Sequence, residues 1–200
     1  MPSLTRTVAS GTPEPVTVDE FRNHIKSDTD DEDIALLGYL MAARRGMEEE
    51  YATALVPQTC VLRLDSFPID CRLGEIELRI AHVTSITSIQ YIDTDGATQT
   101  LAGANYTADV YSTPARIRPA YGLSWPATRL DMNAVTVTFV AGYATPADVP
   151  FNVKAALLLL AAELNDKREP TVTGATIAAV PGFESLAITE RWGGYAGSRT

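Results

Sequence analysis

Few side chains in this 200-residue sequence have the types and spacing that chemistry demands. There are two histidines, His24 and His82. The first sits at a surface-like position of a predicted helix and the second at a strand end. Neither stands at metal-ligand spacing or beside a nucleophile motif, so both read as structural or solvent-facing. Asp93 and Asp95, in the pattern D-x-D-G, resemble the opening of a calcium loop, but a β pattern follows and no glutamate stands at the required distance. A hairpin turn is the simpler reading. The carboxylate runs Asp30 to Asp33 and Glu48 to Glu50 could gather a cation, yet such runs are ordinarily solvated helix faces. Ser66, Ser85 and Ser124 lack a nucleophile-elbow context, and no glycine-rich phosphate loop follows a strand. The two cysteines, Cys60 and Cys71, lie in strand-turn-strand sequence. A disulfide is open to them geometrically, but a reducing compartment argues for two buried, inert thiols. The inventory yields no catalytic residue, no cofactor site and no metal site. An enzyme or small-ligand module would have to rest on His82, Asp93 and Asp95.

The elements that would carry these residues change period twice. Residues 13 to 56 and 148 to 192 read mostly as helix, and residues 58 to 143 as strands and turns. Thr17 caps a helix over 18–26, with Glu20 completing a capping box and Phe21 and Ile25 facing a core. A longer helix spans 31–54. Its acidic start complements the helix dipole, and Ile34, Leu37, Met41, Met47 and Tyr51 fall near one apolar stripe, widened by Leu36 and Leu40. Strands follow around 61–64, 76–80 and 83–92, then an Asp-Gly hairpin turn at 93–96. Further strands lie around 106–111, 115–117 and 134–143. Pro150 opens a third helix, whose stretch 154–164 is apolar nearly all round. Such a helix must be buried on several sides, in its own core or against a neighbouring subunit, and Leu157, Leu158, Leu159 and Leu160 are the candidates for that contact. A short fourth helix is predicted over 183–192, and residues 193–200 form a tail that only a partner would order.

A net charge of −9 argues against a protein that grips phosphate backbones. The N-terminal stretch lacks a signal-peptide core. The longest apolar run, 155–162, is far short of a membrane span. A cytosolic product, neither exported nor anchored, is expected.

The order of segments resembles the bacteriophage head-to-tail connector (adaptor) family, in its longer members with a β insertion. The matching residues begin with Pro15-Val16-Thr17, Asp30-Asp31, Ala42-Ala43-Arg44 and Gln58-Thr59. In the β region they are Leu64 to Pro68, Val83 to Ile86, Ile89 to Asp93, Asp95-Gly96, Tyr106, Pro114 to Ile117, Trp125-Pro126 and Asn133 to Val137. Phe139 to Tyr143, Val149-Pro150, Lys154-Ala155 and Leu158-Leu159 complete the series, which covers about residues 14 to 170.

The resemblance implies an α+β fold. A helical connector core of about four helices would carry an inserted antiparallel β unit between helices two and three. The parts would be residues 1–57 and 146–192 for the core, 58–145 for the β domain and 193–200 for the tail. It also implies a non-enzymatic virion protein of the neck, assembled in the host cytoplasm. The protein would form a ring, of twelve copies, beneath the portal, extend the DNA channel and dock the tail or a stopper. Expected partners are further copies of the chain, the portal protein and stopper or tail proteins. DNA would pass without specific binding, and no membrane is involved. The tail residues Trp192, Tyr195 and Arg199 are candidate portal contacts, by position. Asp30, Asp31, Asp33, Glu48, Glu49 and Glu50 are candidate channel-facing acids, whose field would keep DNA from adhering. A stopper or tail-completion protein of the same region is the alternative.

Overall fold

The computed structural model describes residues 2–68, 74–167 and 186, and its chain divides into two units. One unit combines Met1–Ser10 with Pro57–Gly142, and the other combines Gly11–Val56 with the chain from Tyr143 onward.

The first unit is β. Strands β1 (Ser3–Val8), β2 (Gln58–Leu64), β3 (Ile76–Leu78), β4 (Val83–Ile92), β5 (Thr98–Thr100), β6 (Tyr106–Asp109), β7 (Ala115–Pro119) and β8 (Val135–Ala141) form two antiparallel sheets. One sheet runs β1-β2-β8-β4-β5 and the other β3-β7-β6. β8 lies at the centre of the larger sheet, and its side chains alternate strictly. Val135, Val137, Phe139 and Ala141 are buried, while Thr136, Thr138 and Val140 are half-buried. That is the period-2 pattern of a strand with one face on a core. Ile76 and Leu78 of β3 and Ala115 and Ile117 of β7 are buried in the smaller sheet. The register along β4 and β8 shifts twice, between Val83 and Ser85 and between Ile86 and Ser88, so the longer strand bulges to stay paired with the shorter one. Phe67 stacks on Trp125 with ring centroids 4.6 Å apart, and the indole N–H donates to the Gly74 carbonyl at 2.6 Å. This pins the long stretch before β8 to the turn before β3. Gly74 has φ +70°, and a Cβ there would come within 3.1 Å of the Pro68 carbonyl oxygen, so only glycine fits.

The second unit is helical: α1 (Val18–Ile25), α2 (Asp33–Glu50) and α3 (Phe151–Asp166). Thr17 caps α1 as expected. Its hydroxyl accepts from the Glu20 N–H at 3.2 Å while Glu20 accepts from the Thr17 N–H at 2.8 Å. α2 packs on α3, and α1 touches both. The core between them holds Phe21 from α1, Leu36, Leu40, Ala43 and Met47 from α2, and Val153, Ala156, Leu157, Leu160 and Ala161 from α3.

Three expectations are corrected. The fold is not a four-helix core with a β insertion: the described residues contain three α-helices and eight strands, and the strands form two antiparallel sheets. Strand β1 precedes every helix and pairs along its whole length with β2, so the β unit begins before the helical one. β1 and β5 escape a pattern reading because they are exposed edge strands with no buried stripe; their pairing makes them strands. The predicted fourth helix over 183–192 lies, apart from Leu186, outside the described residues. Second, α2 stops at Glu50, not near Ala54. The Thr53 N–H bonds back to the Glu48 carbonyl and the Leu55 N–H to the Glu48 carboxylate, which turns the chain out of the helix. Third, Ile34, Leu37 and Met41 do not face the core. They are 91%, 40% and 44% exposed, while Leu36 and Leu40 are buried. Both sets satisfy a helical period, and the position of α3 decides between them.

Candidate functional site

Among the described residues, no constellation of reactive groups assembles. Asp93 spends its carboxylate on its own turn: Oδ1 accepts from the Asp95 and Ala97 N–H groups and Oδ2 from Gln99 Nε2 at 2.8 Å. Those bonds, led by the one from Gln99, hold its pKa below the ordinary carboxylate value. His82 sits at φ 60° and its carbonyl accepts from the Gly142 N–H at 2.9 Å, which gives it a backbone role at the start of β4. His24 is exposed on α1. Among the described residues, no three His, Cys, Asp or Glu side chains cluster as metal ligands, and no helix is long and apolar enough to cross a membrane. The β unit has an open, mostly apolar groove of about 770 Å³, lined by Leu4, Leu62, Leu64, Ile76, Leu78 and Phe139 among others. None of His82, Asp93 and Asp95 lines it. Cys60 is buried in β2, and Cys71 lies outside the described residues.

What the structure does assemble is a set of charged and apolar surfaces. Arg44 of α2 is 2% exposed and carries a three-residue ion network. Its Nε donates to Glu14 Oε2 at 2.7 Å, its Nη2 to Glu14 Oε1 at 3.2 Å, and its Nη1 to Glu48 Oε2 at 2.8 Å. Burial opposes the guanidinium charge, but the bonds from Glu14 and the field of Glu48 outweigh it and raise the pKa. Glu48 is completed by the Leu55 N–H at 2.8 Å on its second oxygen. Two carboxylates and one guanidinium therefore tie the segments before α1 and after α2 to the middle of α2. The Arg44–Glu48 spacing of i, i+4 is visible in the sequence; Glu14, thirty residues away, is not.

The candidate channel acids divide accordingly. Asp30, Asp31, Glu49 and Glu50 are exposed. Asp33 is half-buried and paired with Arg22 Nε at 3.2 Å, and Glu48 is buried. The candidate leucines also divide. Leu157 and Leu160 are buried in the core of their own chain, and Leu158 and Leu159 are half-buried. The candidate portal contacts Trp192, Tyr195 and Arg199 lie outside the described residues.

In the β unit, Asp109 is the most strongly held carboxylate. It accepts from Ser112 Oγ at 2.6 Å, Arg116 Nη2 at 2.8 Å and the N–H groups of Tyr111 and Ser112. These bonds, the Ser112 hydroxyl foremost, push its pKa far below the ordinary value. Arg116 also reaches Glu75 at 3.7 Å, so the cluster ties the β6–β7 turn to the residue preceding β3.

No protein-family model matches the sequence, and neither does any curated protein. Solved structures do. A chain in the neck of an empty gene transfer agent (GTA) particle computed with C6 symmetry matches over 99% of this chain and 100% of its own, at 26% identity and a TM-score of 0.76. A chain in the virion of a native GTA particle matches over 98% and 99%, at 26% identity and 0.75. A chain in the neck of a native GTA particle computed with C12 symmetry matches over 99% and 100%, at 26% identity and 0.72. The resemblance to phage neck and connector proteins is thereby supported, and the homologous chains are structural components of virion particles and their necks.

Proposed function

We propose that this neck-type protein is one copy of a ring, of twelve subunits, that continues the DNA channel below the portal and presents a docking surface to the tail or a stopper. The observation that carries the reading is the likeness to a neck chain over essentially the whole of both molecules at a TM-score of 0.76. The electrostatics agree with it. A chain of net charge −9 with exposed acids at both ends of α2 repels duplex DNA rather than holding it, as a conduit requires. Asp30, Asp31, Glu49 and Glu50 are the acids free to face a channel. Trp192, Tyr195 and Arg199 are the portal contacts of this reading. The protein performs no chemistry.

The test is assembly. Purified protein mixed with portal-bearing heads, with and without stopper, is imaged by negative-stain electron microscopy. Rings on the portal before any stopper is added support an adaptor. Binding only after another neck protein has been added makes it a stopper or tail-completion protein instead. Persistent monomers that ignore both sink the neck-ring reading.

A further inference from the structure

Leu157 and Leu160 are covered by their own chain, and α2 has a face that no other described element covers. Ile34, Leu37, Gly38, Met41 and Arg45 are spaced i, i+3, i+4, i+7 and i+11, so they line one side of the helix. All five are exposed, Ile34 almost completely.

Gly38 is the more telling residue. A glycine in a helix interior costs about 1 kcal/mol relative to alanine, and something normally demands it. A Cβ built at Gly38 meets nothing within 4 Å, and no positive φ is involved. Nothing among the described residues explains the missing side chain, whereas close approach of a second backbone would.

The charge pattern narrows the occupant. From Ile34 to Met47 the helix has no carboxylate, although the chain carries 25 acidic residues. Its charges there are Arg44, which is buried, and Arg45, which is exposed and makes no ion pair with any described residue. Copies of a −9 chain repel one another except where acids are absent, and an apolar strip ending in one arginine is suited to an acidic neighbour. Chains homologous to this one occur in necks computed with C6 and C12 symmetry.

We infer that this face of α2 packs against a second copy of the same chain, as one side of the head-to-tail contact that closes a ring. The inference rests on the ring reading and names the surface that reading needs.

The test compares Gly38→Ala, Gly38→Leu and the double variant Ile34→Asp/Met41→Asp with a control, Leu130→Asp/Met132→Asp. The control changes two apolar residues of the β unit that are at least as exposed as the α2 pair. Monomer folding is followed by thermal melts, and assembly by sedimentation and by microscopy on portal-bearing heads. Gly38→Ala should melt no lower than the parent yet assemble more weakly. Gly38→Leu and the α2 double variant should raise the concentration for half-assembly by roughly tenfold or more. The control should assemble normally. A photo-crosslinking group in place of Met41 should join the chain to itself.

If the α2 variants form normal rings, or position 41 crosslinks to portal or stopper, the surface assignment fails while the ring stands. If the parent protein makes no ring on any head, the ring reading fails and takes this inference with it.

Discussion

Arg44 Nη1 and Glu48 Oε2 lie 2.8 Å apart with both residues at most 3% exposed, one helical turn from each other on the side of α2 that faces the protein interior. With Glu14 this is a buried pair and a half, in which one guanidinium serves two carboxylates. Taking charges out of water is costly, and the pair is sustained because every member is hydrogen-bonded. Removing Arg44 leaves the buried Glu48 and the partly buried Glu14 without their shared cation. Arg44→Ala is expected to cost about 3–5 kcal/mol, read as a lower midpoint in urea unfolding. Arg44→Lys should recover only part of that loss, because an ammonium lacks the fork that meets Glu14 with two nitrogens. A loss below about 1 kcal/mol for Arg44→Ala would mean that water reaches the site and screens it.

Asp109 supplies a pH dependence of definite sign. Its folded pKa is depressed, so its contribution is fully present above the ordinary carboxylate pKa of about 4 and is lost as pH falls through the folded value. Asp109→Asn should therefore lower the melting temperature at pH 7, and the gap to the parent should close as the solution is acidified below about pH 4. A gap that stayed constant down to strongly acidic pH would assign the effect to lost hydrogen-bond geometry rather than charge.

On α3 the prediction separates core from surface. Leu157→Ala should cost about 2–5 kcal/mol as a buried leucine truncation, whereas Ile34→Ala, on the open side of α2, should stay within about 0.5 kcal/mol in the monomer. Equilibrium unfolding measures both. Equal costs would mean that the monomer covers Ile34.

Neutralising the four exposed acids, with Asp30→Asn, Asp31→Asn, Glu49→Gln and Glu50→Gln together, should leave assembly intact and raise retention of duplex DNA at low salt. The gain should fade near physiological ionic strength, where the screening length is about 8 Å. Filter binding across a salt series reads this directly. Unchanged retention at every salt would remove these four from the channel wall.

Local rules recovered much of this molecule. The α1 cap, the β8 strand and the Asp93–Gly96 turn all follow from side chains that satisfy nearby backbone groups or alternate across a sheet. What stayed hidden depended on distant partners. β1 has no apolar alternation to announce it and becomes a strand because β2 offers it an edge. The open face of α2 cannot be told from its buried face until α3 is in place. Glu48 stands with Glu49 and Glu50 in one acidic run of the sequence, and only its i, i+4 arginine distinguishes it as the inward-facing member.

Because β1 is made first but belongs beside β2, the whole of α1 and α2 emerges from the ribosome before that strand can find its partner. The larger sheet then waits for β8, and the helical core waits longer still, for α3. Neither half can finish before the other has been started, so the nascent chain carries exposed apolar surface until synthesis is well past residue 150. For the same reason, a protease cut at a single junction leaves both halves tethered by the remaining two.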